Sequence, residues 1–186
     1  IPRPETEELV QQVVAAAEEG NSILDLCTGS GAIAVAVYKE LEKNKRKASV
    51  TASDISEEAL ALAKENAEEN GADIAFVQSD LFSRIRGRFD IIVCNPPYIP
   101  SGDIAGLQRE VRDFEPRLAL DGGADGLDYY RRIAEDAGKY LVRGGMLVME
   151  VGLGEAESVV KLFRYCDYSM VVKDFNGIDR FVKIVF

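Results

Sequence analysis

"SILDLCTGSGAIA", residues 22–34, decides how the rest of the chain is to be read. Ser22–Leu26 is an apolar run of strand length, Gly29 and Gly31 follow, and a small-residue stretch opens at Ala32. Gly-x-Gly-x-x-Ala between a strand and a helix is the pattern of a nucleotide-binding turn. The glycines permit a tight bend and close backbone approach to a ligand, and Ala34 lets the helix lie near the sheet. A tight turn holding no ligand would read the same from these residues alone.

Working outward, strands and helices alternate. Leu9, Val10, Val13, Val14 and Ala17 share one face of a helix predicted over 5–19, with Gly20 as its stop. A helix follows the glycine turn from Ala32 to Lys43. Strands are expected at 48–54, 73–80 and 88–94. Ser56 caps a helix that stops at Asn70-Gly71. Residues 95–126 lack periodicity, and so long a loop inside a domain is usually functional. Leu127, Tyr130, Ile133, Ala134, Ala137 and Leu141 then mark a helix, 144–151 a strand and 154–164 a helix. Two last strands flank Asn176-Gly177, a hairpin turn signal. The sum is an α/β, Rossmann-like fold. Its seven-stranded, mostly parallel sheet carries an antiparallel strand from the C-terminal hairpin and helices on both faces.

Composition bounds the function. A chain of 186 residues, 47% hydrophobic, fits one compact domain. No apolar run is long enough to span a bilayer, and no leader is visible, so a cytoplasmic protein without a membrane partner is expected. The first residue is Ile1 rather than Met, and upstream residues are expected to be missing. The net charge of -10 opposes nucleic-acid binding. The run Lys43, Lys45, Arg46, Lys47 is the best basic patch, but cations at a helix end satisfy the dipole equally well. There is no histidine, so neither a histidine base nor a thiolate–histidine pair exists. Cys27, Cys94 and Cys166 lack zinc spacing; reduced thiols and no metal are expected.

Three acidic or aromatic positions extend the glycine turn. Asp54 ends the second strand 23 residues after Gly31, where a carboxylate can accept ribose hydroxyls. Asp80 ends the third strand and Phe82 follows it shortly, where an acceptor and a ring could meet an adenine; a helix cap and a core phenylalanine are the alternative. A nicotinamide dinucleotide and S-adenosylmethionine both satisfy these residues.

"NPPY", 95–98, separates them. It lies at the mouth of the fourth strand, where ligands of parallel sheets bind. A conjugated planar nitrogen is a poor nucleophile, and methylating it requires hydrogen-bond acceptors for its N–H groups. The Asn95 side-chain oxygen can take one and the Pro96 carbonyl the other. Pro96 and Pro97 have fixed φ and stiffen the aim, and Tyr98 can pack on a flat amide or base. No general base is needed before transfer, which suits a chain without histidine. A dehydrogenase offers no use for Asn-Pro-Pro-Tyr. A non-catalytic cofactor-binding module would not need Asn95.

With these residues placed, the chain resembles the class I S-adenosylmethionine methyltransferases. More narrowly it resembles the HemK/PrmC family, which methylates the glutamine of the Gly-Gly-Gln motif in peptide-chain release factors. The likeness runs through "IPRPETE" (1–7), "DLCTGSGAIA" (25–34), "SDIS" (53–56), "SDLF" (79–82), "NPPYIP" (95–100), "FEPRLALDGGADGLDYYRRI" (114–133) and "MEVG" (149–152). It implies that Cys27, Thr28, Gly29, Ser30 and Gly31 contact the methionine and ribose parts of S-adenosyl-L-methionine. It further implies that Asp54 holds the ribose and that Asp80 and Phe82 lie by the adenine. Asn95, Pro96, Pro97 and Tyr98 would hold the glutamine, with Asn95 also beside the cofactor. S-adenosyl-L-homocysteine would be the product, a release factor the protein partner, and the chain a monomer. Arg3, Glu5 and Thr6 would order the site or simply start a helix. An adenine or guanine amino group in nucleic acid is the rival substrate, since "NPPY" is shared with such enzymes. Three departures stand out. The family's N-terminal helical domain is expected to precede "IPRPETE" and is not among these 186 residues, Cys27 stands where methyltransferases often have glycine, and Glu155 stands where glutamine is expected.

Overall fold

The computed structural model describes residues 4–186. Helix α1 (Pro4–Ala16) starts on a proline, whose missing N–H costs nothing in a first turn. It ends three residues before the predicted point. Gly20 N–H is taken by Lys47 O at 2.7 Å and Glu18 N–H by Asn21 Oδ1 at 2.8 Å, so the last turn unwinds towards the sheet. Strand β1 (Ser22–Leu26) leads through the glycine turn into α2 (Ala32–Lys43), and β2 (Ser49–Asp54) into α3 (Glu57–Glu69). Ser56 Oγ accepts Ala59 N–H at 3.2 Å, the expected cap. Then come β3 (Ile74–Gln78), β4 (Phe89–Cys94), a single turn α4 (Arg109–Arg112) and α5 (Asp128–Asp136). Strand β5 (Leu141–Glu150), α6 (Ala156–Val160), β6 (Tyr168–Lys173) and β7 (Asp179–Val185) complete the chain.

The seven strands lie in the order β3-β2-β1-β4-β5-β7-β6. Strands β1 to β5 pair in parallel, and β7 runs antiparallel to both β5 and β6. The chain reverses its direction of travel across the sheet between β1 and β4, which opens a crevice at their carboxyl ends.

Alternation along the strands divides the core. Ile23, Ile91, Val93, Val148 and Phe181 meet α1 and α2 through Leu9, Val13, Ile33 and Val37. Leu24, Leu26, Ile92, Cys94, Leu147 and Met149 meet Tyr130, Ile133, Val159 and Phe163 on the other face. Helices therefore cover both faces, as the near-continuous apolar strands require.

Two further boundaries differ from expectation. Leu141, counted onto a helix, is the first residue of β5 and pairs with Phe89. The pairing is irregular between Phe89 and Ile91, so β5 begins earlier than its apolar run suggests. The helix expected over 154–164 is regular only over Ala156–Val160. The hairpin turn forms at Asn176-Gly177. Asp174 accepts the N–H groups of Asn176 and Ile178, both at 2.9 Å, and Gly177 takes φ 80.

Candidate active site

The glycine turn sits at the carboxyl end of β1, between β2 and β4. Gly31 adopts φ 79, and a Cβ there would lie 2.9 Å from the Ala63 Cβ. Both the backbone and the contact between α2 and α3 therefore demand glycine. Gly29, at φ 55, faces open space, with nothing within 4 Å of where a Cβ would be. This leaves room for a ligand beside the Gly29 Cα. Cys27 takes φ 61, in the left-handed region that favours glycine. That accounts for the glycine usual at this position, and the Cys27 side chain packs against the core. Beside it, burial pushes the Cys94 thiol well up, and Cys27 adds to the effect.

Asp54 ends β2 and reaches the turn. Its Oδ2 accepts Gly29 N–H at 2.8 Å and its Oδ1 accepts Ser56 N–H at 2.9 Å. Thr28 N–H goes to Ser53 O at 2.9 Å. The turn is thus laced to β2 through its backbone, and Asp54 retains lone pairs for further donors. Gly31 N–H closes on Thr28 O at 2.9 Å. Ser30 O accepts Asn66 Nδ2 of α3 at 2.9 Å.

Asp25 is the residue that sequence reasoning passed over. It is wholly buried on the Ile23 face of β1, and its Oδ2 accepts Thr28 Oγ1 at 2.5 Å and Ala34 N–H at 3.1 Å. It ties the start of α2 to the sheet. Its signal was available as a carboxylate in the otherwise apolar "ILDL". Burial raises its pKa to about 7. The unfolded carboxyl releases its proton near 3.8 and the folded one near 7, so this group's contribution to stability falls as pH rises across that window. The full span is worth roughly 4 kcal/mol. Asp25→Asn keeps an oxygen for both donors and removes the titration. Urea midpoints measured from pH 4 to 8 are expected to decline less steeply in the variant than in the parent.

Asp80 and Phe82 take different directions. Asp80 stays at the surface and pairs with Arg132 Nη2 of α5 at 2.7 Å; Arg132 also lies 5.9 Å over the Tyr129 ring. Phe82 is 3% exposed and stacks on Tyr140, with ring centroids 4.7 Å apart. The structure gives Phe82 a core role, because a large apolar ring just past a strand end gains more by turning inward.

At the mouth of β4, Pro96 and Pro97 are buried while Asn95 and Tyr98 are half-buried. Among the described residues no hydrogen bond engages the Asn95 side chain. Tyr98 instead donates its hydroxyl to Glu150 Oε1 at 3.2 Å. The long segment after Tyr98 is anchored at both ends. Ile99 N–H meets Leu120 O at 2.9 Å, Gly122 N–H meets Ile99 O at 2.8 Å, and Ser101 N–H meets Gly123 O at 2.8 Å. Gly122 lies against Tyr98 so closely that a Cβ would come 2.7 Å from the Tyr98 Cα.

Glu155 closes the rear of this bracket. Its Oε2 accepts Gly152 N–H at 3.2 Å, and its Oε1 crowds Gly126. Burial raises its pKa to about 7, and Asp125 adds to the rise. A glutamine oxygen would make the same bond without a buried charge, which explains in physical terms why an amide suits the position.

Of the amino-terminal residues, Arg3 lies outside the described residues, as does the side chain of Glu5; Thr6 lies in the first turns of α1. The basic run takes up fold duties at the opposite end of the sheet. Arg46 Nη1 donates to Ala17 O at 2.6 Å and Lys43 pairs with Glu40. Lys45 and Lys47 line a cleft of about 600 Å³ at the amino ends of β2 and β3, far from the strand ends where such sheets bind nucleotides.

The profile of the family described as Methyltransferase small domain matches residues 5–110. A release factor glutamine methyltransferase from Geobacter sulfurreducens is 46% identical over 186 residues, covering 98% of this chain and 64% of its own length. One from Lactococcus lactis subsp. lactis is 42% identical over 188 residues, covering 99% of this chain and 68% of its own. The chain thus spans about two-thirds of the length of the curated relatives it matches. Among solved structures, a methyltransferase from Pyrococcus furiosus aligns with TM-score 0.67 and 16% identity, over 99% of this chain and 83% of its own. The Thermus thermophilus 16S rRNA N2 G1207 methyltransferase, in complex with AdoMet and guanosine, aligns with TM-score 0.68 and 17% identity, over 100% of this chain and 43% of its own. At such identity these likenesses establish the fold, that of the class I methyltransferases.

Proposed function

This chain belongs to the methyltransferase small domain family and to the release factor glutamine methyltransferases, and from that premise we propose that it methylates the side-chain amide nitrogen of the Gly-Gly-Gln glutamine in a peptide-chain release factor. The observation that carries the proposal is Asn95, a half-buried amide with no hydrogen bond among the described residues, at the β4 mouth and between rigid neighbours. S-adenosyl-L-methionine, the donor for this family, would supply an electrophilic methyl group and leave as S-adenosyl-L-homocysteine.

The chain's own residues suit that donor. Gly29 presents an uncovered Cα, Asp54 retains acceptor capacity behind it, and the turn is laced to β2 through Asp54 Oδ2 and Ser53 O. In this reading Cys27 to Gly31 and Asp54 hold the donor, with Asp80 and Asn95 at its edges. Phe82 is stacked on Tyr140 in the core rather than offering a free ring. Asn95 Oδ1 and Pro96 O each accept one N–H of the substrate amide. With both hydrogens held, the nitrogen lone pair would be left to face the donor's methyl group, and the N–C bond would form as the donor's S–C bond breaks. The nitrogen proton becomes acidic only on alkylation and leaves to water, so no histidine is missed. Tyr98 packs on the amide plane. Preorganised acceptors and a fixed backbone are what such a reaction needs from its protein.

A nucleic-acid amino group is the less favoured substrate. The relatives at 42–46% identity carry the release-factor name, and the chain has a net charge of -10. We place residues 1–186 in one methyltransferase domain acting as a monomer in the cytoplasm, where release factors work. No helix among the described residues is long and apolar enough to cross a membrane.

The test is methyl transfer from labelled S-adenosyl-L-methionine to a purified release factor and to a short Gly-Gly-Gln peptide, with the product mapped by mass spectrometry. A single methyl on the glutamine is the expected result. Label found only on added RNA or DNA would overturn the assignment.

A further inference from the structure

We infer that Glu150 is a positioning residue for the amide-holding turn, acting through the Tyr98 hydroxyl; the inference rests on the glutamine reading above. Glu150 ends β5 and is 3% exposed, in a strand whose Leu147, Val148 and Met149 are fully buried. A carboxylate in such a place costs more than an apolar side chain would, so its presence needs a reason. The register supplies one. Cys94 pairs with Met149, which sets Asn95 and Glu150 abreast at the carboxyl ends of adjacent strands. Strands in one sheet lie about 4.8 Å apart, so the two residues share the same mouth.

The Glu150 main chain is held from two sides. It pairs with Phe181 of β7, and its carbonyl accepts the hydroxyl of the buried Tyr130 at 3.0 Å. Its carboxylate Oε1 then accepts the Tyr98 hydroxyl at 3.2 Å. This bond matters because of what the turn lacks. Pro96 and Pro97 fix their own φ but have no N–H to tie them to the sheet. The direction in which Asn95 and Pro96 aim their oxygens must therefore be set at the next residue. Tyr98 is caught there between the Glu150 carboxylate and the Gly122 backbone. Glu150 thus anchors the turn to β5, the neighbouring strand, rather than leaving it to hang from β4 alone.

The test compares Glu150→Gln, which keeps an oxygen acceptor, Glu150→Leu, which does not, and Tyr98→Phe. Transfer to a Gly-Gly-Gln peptide is measured beside donor affinity by calorimetry. Glu150→Gln is expected within about threefold of the parent kcat. Glu150→Leu and Tyr98→Phe are each expected to lose roughly 10- to 100-fold in kcat with donor Kd unchanged, since small misplacements of reacting atoms are that costly. The double variant that combines Glu150→Leu with Tyr98→Phe should be no worse than the weaker single variant, because both remove one bond. Parental kcat in Glu150→Leu, multiplied losses in the double variant, or a parallel loss of donor binding would each overturn the inference. If Glu150→Leu does not fold, Glu150→Gln is measured in the Tyr98→Phe background. No further loss there supports the inference, and a further loss as large as the Tyr98→Phe effect overturns it. A parent chain silent on the peptide while binding the donor would instead overturn the glutamine reading, and this inference with it.

Discussion

Asn95→Ala is expected to lower methyl transfer to the Gly-Gly-Gln glutamine by about 10³-fold. Removing one preorganised hydrogen-bond partner from a reacting group costs roughly 10²- to 10³-fold in kcat. Here the loss is compounded, because a substrate amide held only by Pro96 O is free to swing about that bond. Donor affinity should change by no more than about tenfold, the worth of a single hydrogen bond. The fold should be indifferent, since no partner among the described residues loses a bond when the Asn95 side chain goes. Single-turnover transfer, donor calorimetry and a thermal melt separate the three effects. Retention of more than a tenth of the parental rate would show that Asn95 does not hold the reacting nitrogen.

Gly122→Ala should damage the same site from behind. The new methyl would lie 2.7 Å from the Tyr98 Cα, 2.8 Å from the Tyr98 carbonyl carbon and 2.8 Å from Gly126 O. All three are backbone atoms, so no side chain can rotate away. The segment carrying Asn95 to Tyr98 must shift, or the loop behind it must open. Overpacking of this kind costs about 1–3 kcal/mol, and a displacement near 1 Å in a reacting group about 10²-fold in rate. Loss of kcat by about 10²-fold is therefore expected, with the glycine turn and donor binding intact, since Gly29 lies in the turn after β1 and Asp54 at the end of β2. Transfer assays beside denaturant titration measure both effects, and parental activity in the variant would show that the loop does not brace the turn.

Much of this arrangement was legible in the chain. The strand-turn-helix at 22–34, the Ser56 cap and the alternation of elements are local patterns, so the α/β sheet followed from them. Asn95 to Tyr98 and Asp54 were legible because their position at strand ends says which way they face. Element ends were less so. Whether Ala17 to Glu19 stay helical depends on Lys47, nearly thirty residues away, which takes the Gly20 N–H. Phe82 shows the same limit in the site itself, since nothing local says that Tyr140 waits to stack on it.

By itself, then, the sequence determined the fold class, the place of the glycine turn and the amide-bearing strand mouth. These rest on period, glycine spacing and proline geometry, all of which act within a few residues. Only the tertiary structure decided that Asp25 locks the turn to α2, that Glu150 holds Tyr98, and that Gly122 braces the turn from behind. Each of these contacts joins segments brought together by strand order. A buried carboxylate or a tight glycine acquires meaning only from the atoms that the sheet places beside it.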